Sequence, residues 1–176
     1  MLGVLLGASL VSGCAKTKDA PLAISTAKSA APEPTYSRKD PVEATLGFSR
    51  AVNKAEQALD ENYPGLAIYG EGPALADIVT HVKMFRAQGL RLGKPRVVTH
   101  AGLNATGTDK GKRVASVTAC VTEPADDLVD AKTGKPRPPS GATSQPAVTL
   151  SWTAIVVLNN DGWHVDSGTL KDTATC

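Results

Sequence analysis

Three features of the chain predict an α+β domain. Two segments with helical apolar spacing come first, beginning at Asp40 and at Gly72. After Gly89 the apolar residues change to alternation, the period of half-buried strands. Asp161-Gly162 then separates the last two alternating runs, a dipeptide suited to a hairpin loop with positive φ. Helices followed by consecutive strands predict N-terminal helices packed on a curved antiparallel sheet.

Ahead of that domain, residues 2–10 carry no charge and include Val4, Leu5, Leu6 and Leu10. This is far short of the ~20 apolar residues that cross a bilayer, and it suits the apolar part of a secretory signal. Ser12 and Gly13 leave the backbone accessible to a peptidase just before Cys14. The run Val11-Ser12-Gly13-Cys14 resembles the lipobox of bacterial lipoproteins. That resemblance implies a signal peptide over 1–13, a diacylglycerol on the Cys14 thiol, and attachment to the extracytoplasmic face of the cell membrane. No Lys or Arg precedes the apolar stretch, as one normally does, so a start upstream of Met1 is expected. Residues 14–39 are built of Ala, Ser, Thr, Pro and Lys, with Leu22 and Ile24 almost the only large aliphatic residues. Such a segment cannot bury enough apolar surface to offset its ordering entropy, and a disordered linker is expected. Its Lys16, Lys18 and Lys28 can attract anionic headgroups, at about 1 kcal/mol each near the surface.

The domain, 40–176, opens with Asp40 as a helix cap, Pro41 in the first helical position and Glu43 placed as in a capping box. Val42, Leu46, Val52, Ala55 and Leu59 form one apolar stripe, broken at Ser49, and Asn62-Tyr63-Pro64-Gly65 ends the helix. A second helix starts at Gly72-Pro73, places Leu75, Ile78, Val79, Val82, Phe85 and Arg86 on one side, and closes at Gly89. Strands are then predicted over Pro95 to Leu103, Arg113 to Thr122 and Val148 to Leu158, with Gly102 through Gly111 as a turn region. In the second, Ala115, Val117, Ala119 and Val121 share a face. Taking Asp161-Gly162 as the final loop pairs Leu158 with Val165 and puts Trp163 and Val165 on the apolar face, with His164 pointing outward. Glu123 to Ala147 is too long for a structureless loop. Leu128-Val129-Asp130 and Lys132-Thr133-Gly134 suit a short extra hairpin within it, and Pro136 to Pro146 is expected to be mobile.

Nineteen basic and seventeen acidic residues give a formal charge of +2, and no basic helix or aromatic-basic interleaving suggests nucleic acid as a partner. If Cys14 is lipidated, the other two of the three cysteines, Cys120 and Cys176, remain as a pair in an oxidising compartment, where a disulfide is expected.

The order of elements resembles the nuclear-transport-factor-two-like cone fold, and the ensemble looks like small lipoproteins of high-G+C Gram-positive bacteria, many of unassigned function. The capped helix from Asp40, the strand holding Cys120, the Asp130 to Gly134 turn and the Asp161-Gly162-Trp163 hairpin ending at Cys176 carry the likeness. It implies a pocket at the open end of the sheet, where some members are isomerases, dehydratases or cyclases using an Asp, His or Tyr. No catalytic motif of that kind carries over, so no catalytic residue is assigned. Asp77 and His81 lie four apart and can pair on one helix turn. Counting 100° per residue sets them opposite Leu75, Val79 and Val82, so a solvated face is expected. Tyr63 and Tyr69 flank Pro64-Gly65, placed either to line a pocket mouth or, the preferred reading, to anchor a loop. These four residues are the pocket candidates. His81, His100 and His164 lack ligand spacing, and no metal or cofactor is expected.

An anchor and a foldable core without a catalytic set point to a non-enzymatic domain that binds a small apolar ligand or an envelope partner protein. A cone-fold enzyme acting on a hydrophobic substrate and a structural envelope protein are the alternatives. Intact-mass measurement of the membrane-extracted protein is expected to show loss of residues 1–13 and acyl mass on Cys14. An unmodified Met1 terminus would overturn the anchor.

Overall fold

Asp40 starts the first helix in extended backbone, and its carboxylate accepts hydrogen bonds from the amides of Val42 and Glu43 at 2.8 and 3.0 Å. The structure, a computed structural model, describes residues 35–138, 142–172 and 176. The signal peptide, Cys14 and the linker as far as residue 34 lie outside the described residues, as do residues 139–141 of the segment expected to be mobile. Glu43 does not close a reciprocal capping box; its carboxylate accepts from the Ser37 amide at 2.9 Å and so holds the incoming chain. Residues 35–39, assigned to the linker from sequence, therefore belong to the folded body.

Helix α1 runs over Pro41–Ala58 and ends at Leu59 in the left-handed conformation. Its buried face is Ala44, Phe48, Ala51 and Ala55, while Val42, Leu46, Val52 and Leu59 of the expected stripe are only half-buried. Small residues on the contact face let the helix lie close to the sheet, a preference that a count of large apolar side chains misses. The Asn62–Gly65 breaker begins a further short helix, α2 (Pro64–Tyr69), which buries Leu66. Helix α3 (Gly72–Gln88) starts and stops as expected, with Gly89 as its left-handed cap.

Among the described residues six strands follow: β1 (Leu90–Leu92), β2 (Val97–Asp109), β3 (Lys112–Glu123), β4 (Leu128–Asp130), β5 (Val148–Asn159) and β6 (Gly162–Asp172). A four-stranded antiparallel sheet has the order β2-β3-β5-β6, and β1 pairs separately with β4. Strand β2 continues to Asp109, through most of the expected turn region, and the turn itself is Lys110-Gly111, both with positive φ. Its far half is an exposed sheet edge, so no apolar alternation marks it. The Leu128–Asp130 segment pairs with Leu90–Leu92, and the expected local hairpin also forms, the Asp130 amide donating to the Lys135 carbonyl at 2.9 Å and the Arg137 amide to the Leu128 carbonyl at 3.0 Å around the Val129–Pro136 bridge.

The final hairpin turns one residue earlier than expected. Asn159 faces Gly162 and Leu158 faces Trp163, so the loop is Asn160-Asp161. Gly162 has φ +131°, and a Cβ there would meet the Arg38 backbone. Trp163 and Val165 still face the core, because Leu158 and Val156 oppose them. His164, expected to point outward, is buried because the chain at Arg38 crosses its face. Its Nε2 lies 2.9 Å from an Asp161 carboxylate oxygen and 3.1 Å from Arg38 Nη1.

The core joins Phe48 and the α1 alanines to Leu66, Val82, and the sheet residues Val117, Val156, Trp163 and Val165. Each fully buried valine or leucine contributes about 1.5–3 kcal/mol by leaving water. Cys120 and Cys176 form a disulfide, with 5.7 Å between their Cα atoms, across 56 residues of chain. Cys176→Ala is expected to lower the free energy of unfolding by about 2–4 kcal/mol in chemical denaturation. An unchanged midpoint would show that the bridge adds nothing to stability.

Candidate functional site

Helical spacing sets one wall of a cavity of about 300 Å³ between the helices and the concave face of the sheet. Ser49, Val52 and Glu56 lie three and four residues apart on α1, and Ala74, Asp77, Ile78 and His81 do the same on α3, so each set shares a face. The opposite wall comes from strand ends: Val121 and Glu123 of β3, Trp152 of β5, and Gly168 and Leu170 of β6. The Trp152 indole lies close over Gly168, where a Cβ would collide with Nε1. Phe48 and Trp152 stack with ring centroids 6.3 Å apart, giving this wall a rigid aromatic surface.

One end of the cavity is a buried charged cluster centred on Glu56, which has no solvent exposure. One carboxylate oxygen accepts from His81 Nδ1 at 2.9 Å, and the other accepts from Arg96 Nη1 at 2.5 Å. A buried carboxylate persists only when its lone pairs are met in this way. A carboxylate can only accept, so Nδ1 carries the ring proton and Nε2 is the nitrogen left for a ligand. The Phe85 ring, 4.3 Å from the His81 ring between centroids, limits how the imidazole can turn.

Arg96 stands just before β2 and is fixed through its backbone. The Asn53 side chain accepts from the Arg96 amide at 3.1 Å and donates to its carbonyl at 2.8 Å, standing in for a strand neighbour. Arg96 Nε lies 2.9 Å from Glu123 Oε1, out of line with its N–H, and 3.9 Å from Asp127 Oδ2, so these are ion pairs rather than hydrogen bonds. Burial raises the Asp127 carboxyl above its ordinary value; Arg96 opposes this, and Glu123 and Glu56 add to it.

No protein-family model and no curated protein matches the chain. The chain is similar to the crystal structure of the intermembrane space region of the chloroplast protein ARC6. The TM-score is 0.51 at 12% identity, covering 80% of this chain and 100% of that one. A periplasmic fragment of TraM is more distant, with a TM-score of 0.44 at 13% identity over 74% of this chain and 96% of that one. The first likeness shows the α+β fold of helices on a curved antiparallel sheet and nothing further.

Of the four pocket candidates, the structure brings two to the cavity. His81 is half-buried in its wall and Asp77 stands exposed at its edge, both on the side assigned to solvent from the helical wheel. That side is not free, because α3 packs against α1 as well as against β6. His81 turns to Glu56 rather than to Asp77. Tyr63 and Tyr69 do not line the cavity. Tyr69 donates its hydroxyl to the Tyr36 carbonyl at 3.0 Å with its ring against Gly47, and the Tyr63 ring packs on Gly65 beside Ala51. Both anchor the chain. Glu56, Arg96, Asn53, Glu123 and Asp127 escaped sequence reasoning; the one available signal was a charged residue, Glu56, directly beside Ala55 on the buried side of α1. Among the described residues no group of three or more His, Cys, Asp or Glu side chains is arranged to hold a metal ion.

A carboxyl raised in the folded state favours folding while it is protonated, and that contribution is lost as pH rises through the raised value. Asp127→Asn is therefore expected to raise the melting temperature at about pH 7 and to leave it unchanged at about pH 3. A lower melting temperature at neutral pH would show that pairing with Arg96 outweighs the cost of burial.

Proposed function

We propose that this chain is a lipid-anchored extracytoplasmic domain that binds a small, mainly apolar molecule in the cavity between α1, α3 and the sheet. The anchor rests on the lipobox-like run ending at Cys14. The binding activity rests on one observation, a cavity of about 300 Å³ with Phe48, Val52, Ile78, Trp152 and Leu170 along its sides and the Glu56–His81–Arg96 cluster at one end. That volume stands at the lower bound of small-molecule sites, which pair apolar walls with a few placed polar groups. A fitting ligand has an apolar body and one polar group able to reach His81 Nε2.

A second reading, an isomerase- or dehydratase-like enzyme on a hydrophobic substrate, is favoured by the Glu56–His81 pair itself. A histidine held by a buried carboxylate is a competent proton-transfer group. The Arg96 contact to the same carboxylate serves the structure equally well, so binding is the function the geometry supports best.

N-phenyl-1-naphthylamine, a neutral fluorescent probe, is expected to bind saturably with one site per chain. Ser49→Phe, which fills the cavity from α1, is expected to weaken it by about tenfold or more, about 1.4 kcal/mol, with the far-UV circular dichroism unchanged. Probe binding that does not saturate, or that ignores the substitution, would overturn the proposal.

A further inference from the structure

Charge is distributed unevenly around the cavity. Among the described residues that line it, Glu56, Asp77 and Glu123 carry carboxylates and Arg96 alone carries a guanidinium. His81 completes the set, and a second proton on its ring would still leave the acids in excess. Two further acids stand close by. Asp172 opposes Leu150, which opposes Val121, so it lies on the cavity face of the sheet. Asp127 lies 3.9 Å from Arg96 Nε.

The other bases on the packed elements do not correct this balance. Helical spacing turns Arg50 and Lys54 away from the Ser49, Val52 and Glu56 face of α1, and Lys83 away from the Ala74, Ile78 and His81 face of α3. Arg86 is paired with Glu61. Lys171 opposes Ser151 and His100 opposes Cys120, all on the other face of the sheet from Val121. Arg91 and Arg137 donate to the Leu92 and Gln88 carbonyls beside β1. Lys94 donates to the Ala125 carbonyl at 2.8 Å, in the loop that also carries Asp126 and Asp127.

The lone pairs of the lining acids are met unequally. Glu56 has both oxygens engaged, one by His81 and one by Arg96. Glu123 Oε1 lies 2.9 Å from Arg96 Nε but out of line with its N–H, so no hydrogen bond joins them. His81 Nε2 is a further acceptor in the same cluster, because Nδ1 holds the ring proton. The polar end of the cavity therefore offers acceptors and negative charge. A carboxylate or phosphate on a ligand would be repelled there, and a hydroxyl would supply a donor without the charge.

We propose that the ligand of this cavity is an apolar molecule bearing one protonated amine, its ammonium donating to the Glu123 carboxylate and its body lying along Phe48, Val52 and Trp152. The assignment rests on the reading of the cavity as a binding site and gives that site its ligand class. An ammonium has three donors and no acceptor, and its hydrogen bond to a carboxylate is charge-assisted. Asp77, exposed at the edge of the cavity, adds to the attraction as the amine enters.

The test is isothermal titration of the full-length protein with three ligands that share one apolar body: 4-phenylbutylamine, 4-phenylbutan-1-ol and 4-phenylbutyrate. The amine is expected to bind about tenfold more tightly than the alcohol, by the margin of a charged over a neutral hydrogen bond. The carboxylate is expected to bind most weakly. Glu123→Gln keeps the shape and removes the charge, and should bring the ratio of amine to alcohol affinity close to one. Asp77→Asn, at an exposed position with no contact to Arg96, is expected to lower the same ratio about twofold. Equal affinities for amine and alcohol, tightest binding of the carboxylate, or a ratio that neither substitution moves would overturn the ligand class and leave the cavity reading standing. An amine preference that survives Ser49→Phe would place the amine outside the cavity and also overturn it. If none of the three binds and N-phenyl-1-naphthylamine does not bind either, the cavity reading falls and the ligand class with it.

Discussion

The buried carboxylate of Glu56 is the interaction on which the rest of the molecule depends. It is fully shielded from water on α1, and its two oxygens reach His81 on α3 and Arg96 at the entry to β2. Three elements distant in sequence are thereby fixed around a single charge. Removing one partner from such a group leaves an uncompensated buried charge, which costs far more than the pair contributes net. The cluster therefore acts as a constraint on geometry. It ties α3 to α1 and to the start of β2, and all three of its side chains line the cavity. Asn53 adds a second link, because its amide satisfies both backbone groups of Arg96 where no strand is available to do so.

The opposite end is held by different chemistry. Arg38 crosses the β5–β6 hairpin, its carbonyl accepting from Trp163 and its guanidinium reaching Asp161 and the Ile68 carbonyl. Asp161 is held at about 2 by Arg38 first and His164 second, so it stays ionised over the range in which most proteins work. His164 is buried beneath this strap and contributes to it through Nε2. The segment leading into the domain is thus a working part of the hairpin, although its composition of Ser, Arg, Lys and Thr reads as linker.

The signals for helix starts and for strand alternation proved faithful, and the assignment of helix faces, which depends on a distant partner, did not. Asp40-Pro41 and Gly72-Pro73 mark helix starts through capping and fixed φ, which act within one turn, and both hold. The alternation in β3 and β5 is equally local in origin, since one face must be apolar wherever a sheet has a core. The side assigned to Asp77 and His81 failed for the converse reason. A helical wheel ranks faces by apolarity, but α3 has a second contact face whose partner is a charged group on another helix, which no wheel can report. The final hairpin shows the same limit at finer scale: Asp161-Gly162 correctly signals a turn, yet the loop shifts by one residue because Gly162 must pass close to Arg38. The cluster of Arg96, Glu123 and Asp127 was illegible because its members meet only after β2, β3 and the following loop have folded together.

The disulfide stands at the cavity end of the sheet, and its position has a consequence for binding. Cys120 lies between Ala119 and Val121, which face the concave side, and opposite Ser151, the neighbour of Trp152. Cys176 follows β6, whose Gly168 and Leu170 form part of the cavity wall. The bridge therefore ties β3 to the tail of β6 across the intervening β5, at the strand ends that carry the aromatic wall. Strand ends without such a tie are where sheets fray, and a wall that frays must be ordered again when a ligand arrives. Fixing those ends in the free protein removes that cost in advance. The same bond that stabilises the fold thus keeps the cavity in the shape that a ligand would need.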